Sequence, residues 1–155
     1  NIVREDIIGN VVKGQPKLFH YSTQANNESM FNTPATFPWY AAGRVFEWLK
    51  EQGGLSVIQK INHMKAKTLY TAIDNSDFYS NPVSIKYRSW MNVPFLLADD
   101  SLNGLFLERS KEAGLLALKG HRSVGGMRAS IYNAMPQEGV DALVNFMSDF
   151  EKDYG

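Results

Sequence analysis

The side chains best suited to chemistry lie in two clusters. His121 and Arg122 stand in a glycine-punctuated loop, Gly120 to Gly126, and Arg128 follows on a segment that reads as a strand. A guanidinium offers a planar fork that matches carboxylate or phosphate oxygens, and a neighbouring imidazole adds a further donor. Two separate guanidiniums can grip the two anionic ends of one ligand. An internal ion pair or simple solvent exposure accounts for the same arginines at least as well. The second cluster is Asn32-Thr33-Pro34, placed just before a helix. Its amide, its hydroxyl and the free N–H groups of a helix start suit a phosphate, although helix capping explains the same residues and is the simpler reading.

Other chemistries are excluded by what stands beside these residues. Gly126 and Met127 occupy the places where a nucleotide-triphosphate loop needs Lys and Ser or Thr. The histidines, at 20, 63 and 121, have no ligand spacing and no accompanying carboxylate cluster, so no metal is expected; His63 reads as a surface side chain. No Gly-x-Ser-x-Gly elbow is present. The chain has no cysteine, which removes disulfides, thiolate nucleophiles and Cys-ligated zinc and is compatible with a reducing cytosol. Sixteen basic and 16 acidic residues give a formal net charge of zero, hence no global field to hold nucleic acid or an anionic membrane. No apolar run approaches the roughly 18 residues of a membrane span. The sequence opens on Asn1 with no basic leader or cleavage site, and that start reads as the interior of a longer chain.

These clusters must be positioned by 155 residues, of which 44% are hydrophobic and 21% charged, a composition that packs a core. One domain is the default and two small pieces the alternative. Residues 13–35 are dense in turn formers without periodicity, and loops beyond about 15 residues are commonly functional or disordered. Phe19, Tyr21, Met30 and Phe31 in that loop point to packing, with a second chain as one partner. A helix is predicted from about Thr36, with Thr36 as cap, Pro38 in its first turn, Trp39, Ala42, Phe46 and Leu49 as its stripe, and Gly53-Gly54 as its stop. A second, about Leu55 to Ile73, aligns Ile58, Ile61, Leu69 and Ala72. Residues 87–97 alternate as a strand in which Pro94 predicts an edge or a bulge. A capped helix from Asp100 or Ser101 follows and stops at Gly114, then a short buried strand, Leu115 to Leu118, and its neighbour from Met127. A last helix, opened by Pro136, carries Val140, Leu143, Val144, Met147 and Phe150. The order from about residue 55 predicts an α+β sandwich with a small, largely antiparallel sheet. The first third does not fit inside it.

Four strings, Phe31-Asn-Thr-Pro-Ala-Thr-Phe, Ile73-Asp-Asn-Ser-Asp-Phe-Tyr, Met91-Asn-Val-Pro-Phe and Gly120-His-Arg-Ser-Val-Gly-Gly-Met-Arg-Ala-Ser-Ile-Tyr-Asn-Ala-Met, together resemble the phosphoserine aminotransferase family across essentially the whole chain. The resemblance implies a pyridoxal-phosphate enzyme of the aspartate-aminotransferase fold (fold type I, class V), interconverting 3-phosphohydroxypyruvate plus L-glutamate and O-phospho-L-serine plus 2-oxoglutarate in serine and pyridoxine biosynthesis, in a cytoplasmic homodimer. By the same resemblance Asn32 and Thr33 reach the cofactor phosphate held by the neighbouring subunit. His121 and Arg122 bind the phosphate or distal carboxylate of the substrate, and Arg128 holds its α-carboxylate.

The sequence departs from the family pattern in one decisive respect: no lysine stands in the family's Schiff-base context. The expectation is therefore a C-terminal portion, with residues 1–53 the tail of the large cofactor-binding domain and its dimer loop, and residues 54–155 the small domain. Alone it is expected to be inactive and not to hold the cofactor, and exposed Trp39, Phe46 and Trp48 are expected to seek partners. A self-contained α+β anion-binding or interaction module is the alternative from another class.

Overall fold

A computed structural model describes residues 2–155; Asn1, on which the reading of the chain's start rests, lies outside the described residues. The chain divides into two compact units, Asn1–Trp48 and Leu49–Gly155.

In the first unit, the stretch expected to lack regular structure contains a 3-10 turn at Lys17–Phe19 and the short helix α1, Tyr21–Ala25. Local side-chain bonds hold it: the His20 Nε2 lies 2.9 Å from the Gln15 carbonyl, and Asn27 Nδ2 donates to the Thr23 carbonyl at 2.8 Å. Contacts of that kind leave no periodic trace in a sequence. Helix α2, Thr36–Glu51, begins where expected. Its Thr36 hydroxyl does not cap; it donates back to the Pro34 carbonyl at 3.2 Å. No described residue of this unit is buried, and Phe37, Trp39, Tyr40 and Phe46 stand exposed on α2, while Trp48 is partly covered.

The second unit is an α+β sandwich. Gly53 and Gly54 end α2 with φ of 97° and 79°, a left-handed conformation that glycine adopts without penalty. Helix α3, Leu55–Asp74, follows, then β1, Tyr79–Ser80, β2, Asn92–Leu97, α4, Asn103–Glu112, β3, Met127–Ser130, and α5, Gln137–Tyr154. The sheet order is β1-β2-β3, antiparallel throughout. Val93, Phe95, Leu97, Met127, Ala129 and Ile131 point to one face and bury there against Leu69, Ile73, Phe106, Val140 and Met147. Phe106 sits at the centre of an aromatic cluster with Tyr79, Phe95, Phe146 and Phe150.

Two expectations about strands are corrected, and the cap expected at Asp100 or Ser101 falls to Asp99, whose Oδ1 accepts from the Ser101 N–H at 2.8 Å ahead of a 3-10 turn, Asp100–Leu102, that leads into α4. Pro94 lies in the central strand rather than on an edge, because β1 pairs with β2 only at Leu96 and Leu97. Beyond that point the missing Pro94 N–H leaves no ladder bond unmade, and the Pro94 carbonyl accepts from Asn81 Nδ2. Residues 115–118 form no strand. Ala117 has φ of 62°, Leu116 is exposed, and what survives of the pairing is a bridge of Lys119 with Met127 and a bond from the Arg128 N–H to the Leu118 carbonyl at 2.7 Å.

Candidate functional site

Alternation along β3 turns Met127 and Ala129 into the core and Arg128 and Ser130 to the other face. Arg128 pairs in register with Pro94, and beside it Asn92 binds both Ser130 and Tyr132: Ser130 Oγ donates to Asn92 Oδ1 at 3.1 Å, and Asn92 Nδ2 donates to the Tyr132 hydroxyl at 3.0 Å. A cavity of about 290 Å³ opens on this face. Arg128 and His121 line it together with Pro82, Val83, Tyr87 and Met127. Arg128 Nε is buried without a hydrogen-bond partner. Among the described residues neither Arg122 nor Arg128 enters an ion pair; the arginines that do are Arg4, Arg44, Arg88 and Arg109. The internal ion pair that the sequence left open for these two is thus not what the fold builds. Much of the cavity wall beside Arg128 is apolar, and a ligand that displaces water there strengthens a charge-assisted bond to the guanidinium.

The loop bearing His121 and Arg122 closes through a bond from the Gly120 N–H to the Gly126 carbonyl at 2.9 Å. Inside it, Val124 and Gly125 N–H groups both donate to the His121 carbonyl, and the His121 Nδ1 lies 2.7 Å from Ser123 Oγ. These bonds orient the imidazole. Arg122 is exposed on the turn and does not line the cavity. The structure therefore brings His121 and Arg128 onto one cavity and leaves Arg122 outside its lining.

Asn32 and Thr33 are exposed in the first unit, and among the described residues their side chains make no hydrogen bond. The amide and hydroxyl are free to donate outward, and the capping role is not taken up. A larger recess of about 750 Å³ lies in the same unit, lined in part by Leu18, Phe19, His20 and Tyr21. Its one imidazole is bonded to the Gln15 carbonyl, and no cation lines it, so we place the candidate site at the smaller cavity. No group of residues suited to a metal ion occurs among the described residues, and no helix is long and apolar enough to cross a membrane.

Sequence reasoning missed the supports of this cavity. Arg88 gives both terminal nitrogens to the Asp74 carboxylate at 2.6 and 2.7 Å and lies over the Tyr70 ring. That hydrogen-bonded pairing holds Asp74 below the usual carboxylate range and raises Arg88. The Tyr70 hydroxyl donates to the Ser89 carbonyl at 2.9 Å, and burial pushes it up. Together they tie residues 83–89, one wall of the cavity, to α3. Lys65, also on α3, is fully buried, and burial lowers its pKa. Nothing in a helix with polar neighbours at 62, 63 and 67 marks that lysine from sequence.

A small antiparallel sheet backed by helices, with an unpaired arginine at a cavity on its open face, is the frame in which comparison with known proteins is informative. The model of the class-V aminotransferase family matches residues 5–143, and the chain belongs to that family. Phosphoserine aminotransferase of Ruthia magnifica subsp. Calyptogena magnifica is 72% identical over 152 residues, 98% of this chain and 42% of the relative. That of Vesicomyosocius okutanii subsp. Calyptogena okutanii is 70% identical with the same coverage. The solved phosphoserine aminotransferase from Bacillus circulans subsp. alkalophilus superposes with a TM-score of 0.90 at 45% identity, over 99% of this chain and 43% of that one. The pyridoxal-phosphate-bound enzyme from Trichomonas vaginalis gives 0.80 at 42% identity, over 89% and 40%. The chain thus spans about 42% of the length of the curated relatives it matches.

Proposed function

We propose that the chain is the C-terminal portion of a phosphoserine aminotransferase, a cytoplasmic homodimer that interconverts 3-phosphohydroxypyruvate plus L-glutamate and O-phospho-L-serine plus 2-oxoglutarate. In this reading residues 1–53 are the tail of a large cofactor-binding domain and residues 54–155 its small domain. The observation that carries it is the buried, unpartnered Arg128 Nε at a cavity shared with His121, in a chain 72% identical to such an enzyme.

The residues present suit pyridoxal phosphate in part. Asn32 and Thr33 have donors free for its phosphate oxygens, reached across the homodimer in the neighbouring subunit. The attaching amine comes from polypeptide outside this chain: no lysine lines the cavity, and Lys65, the one buried lysine, spends its donors on carbonyls. The cofactor supplies an electron sink for the bond broken at the substrate Cα. This chain's part is orientation. Arg128 fastens the α-carboxylate, and with one Cα substituent held, the direction of the bond to be broken follows. His121 and Arg122 take the phosphate or the distal carboxylate, so a ligand with anions at both ends is selected. Pro82, Val83 and Tyr87 give the cavity beside Arg128 an apolar side.

The test is the full-length enzyme assayed with both substrate pairs. Arg128→Ala is expected to weaken both amino-acid substrates, and Arg122→Ala to weaken the phosphorylated one more, each loss amounting to about 2 to 4 kcal/mol of transition-state binding. Kinetics equal to the parent's would remove these assignments.

A further inference from the structure

Lys65 is 0% exposed, and its ammonium faces no carboxylate. Its three donors go instead to three carbonyls of one turn: Tyr132 at 2.7 Å, Met135 at 2.9 Å and Ile131 at 3.3 Å. Burying an ammonium without a counter-ion is unfavourable, whereas a methionine would fill the same volume with no desolvation penalty. What the ammonium adds is direction. Three donors on one nitrogen can be satisfied together only if the three carbonyls converge, and that convergence determines the path of residues 131–135.

The turn so held is the continuation of the strand that bears Arg128. Ile131 extends β3 by donating its N–H to the Met91 carbonyl at 2.8 Å, and Tyr132 joins Ser130 and Asn92 in the hydrogen-bonded row beside Arg128. The same face of α3 grips the turn twice more. Asn62, 3% exposed, donates from Nδ2 to Asn133 Oδ1 at 2.7 Å, and Gln137 Nε2 donates to Thr68 Oγ1 at 3.3 Å. Positions 62, 65 and 68 follow helical spacing, so one stripe of α3 fastens the segment from 131 to 137. Farther along, Tyr70 and Asp74 of the same helix fasten the opposite wall at 83–89.

We infer that Lys65 is a positioning residue for Arg128: by anchoring the turn after β3 to α3 it sets where the guanidinium stands in the cavity. The inference rests on the proposed role of Arg128 as the grip for a substrate carboxylate.

The experiment uses the full-length enzyme with Lys65→Met, alone and combined with Arg128→Ala. We expect the KM for L-glutamate to rise at least tenfold in Lys65→Met, kcat to fall by less than threefold, and cofactor affinity to stay at the parent's value. In the Arg128→Ala background the same change should leave the KM within twofold. A lower unfolding temperature with unchanged KM, or an equal KM effect with and without Arg128, overturns the inference. If Lys65→Met does not fold, Asn133→Ala decides, since it loosens the turn without leaving a buried charge unpaired: a KM raised about threefold only when Arg128 is present supports the inference, and an unchanged KM overturns it. A parent without transaminase activity would refute the proposed function instead. Calorimetric titration with succinate then reads the same cycle, and a succinate affinity lowered by Arg128→Ala but untouched by Lys65→Met overturns the positioning role.

Discussion

Arg88 and Arg128 are both partly covered arginines, yet one gives both terminal nitrogens to Asp74 and the other keeps a buried Nε with no partner. In a chain with as many acids as bases, an arginine left unpaired at a cavity is the feature behind the proposal that Arg128 meets an external anion. The paired arginine gives a test of its own. Asp74 has its carboxyl pKa depressed by the Arg88 hydrogen bond, so its contribution to stability is present in full above the unfolded-state pKa, near 3.9. It is lost as the pH falls through the lower folded-state value. Asp74 is 43% exposed and Arg88 13%, and solvent screening holds the expected loss in Asp74→Asn to about 1 kcal/mol at neutral pH. Urea denaturation of parent and variant should show that gap narrowing below about pH 4. A gap of constant size from pH 3 to 7 would mean that the ion pair does not act.

At the scale of elements, the loop from Gly120 to Gly126 depends on close backbone approach. A Cβ on Gly120 would collide with the Gly125 carbonyl oxygen and stand 2.7 Å from that of Gly126, so Gly120→Ala must open the base of the loop. We expect it to raise the KM for the phosphorylated substrate severalfold more than that for glutamate, because His121 and Arg122 ride on the loop while Arg128 lies in β3, whose neighbours Met127 and Ala129 hold it in register with β2. Equal effects on both substrates, measured by steady-state kinetics, would show that the loop and the strand shift together. Helices α2, α3 and α5 were legible in the sequence because each carries a 3.6-residue stripe, to which α2 adds Pro38 near its start and Gly53-Gly54 at its end, and α5 adds Pro136 before its start. The strand expected at 115–118 does not form, since a left-handed residue at Ala117 breaks a run that hydropathy alone reads as continuous. Nor was β1, with two residues, long enough to alternate. His121 and Arg128 were legible as donors by residue type. Their meeting at one cavity depends on the Pro94 register and on Lys65, a lysine whose surroundings come from segments some 70 residues away.

For the molecule as a whole, the two units differ in kind. Residues of α3, β2, β3 and α5 bury a continuous core, whereas no described residue from 2 to 48 is buried and α2 presents Phe37, Trp39, Tyr40 and Phe46 to solvent. An apolar helix face of that size calls for a cover, and in the proposed enzyme the large domain and the second subunit provide it. Two consequences follow for the 155-residue chain studied by itself. Amide exchange should be slow in the second unit and fast through residues 2–48, with light scattering showing association through the uncovered helix; uniformly slow exchange in a monomer would contradict this. Added pyridoxal phosphate should give neither a new visible absorption band nor transamination, while the full-length enzyme gives both. That difference tests the proposed division of labour, in which this chain offers donors for the phosphate and a guanidinium for the carboxylate and the rest of the enzyme offers the amine that holds the cofactor. Turnover by the 155 residues with a specifically modified lysine would place the whole site within this chain and overturn that division.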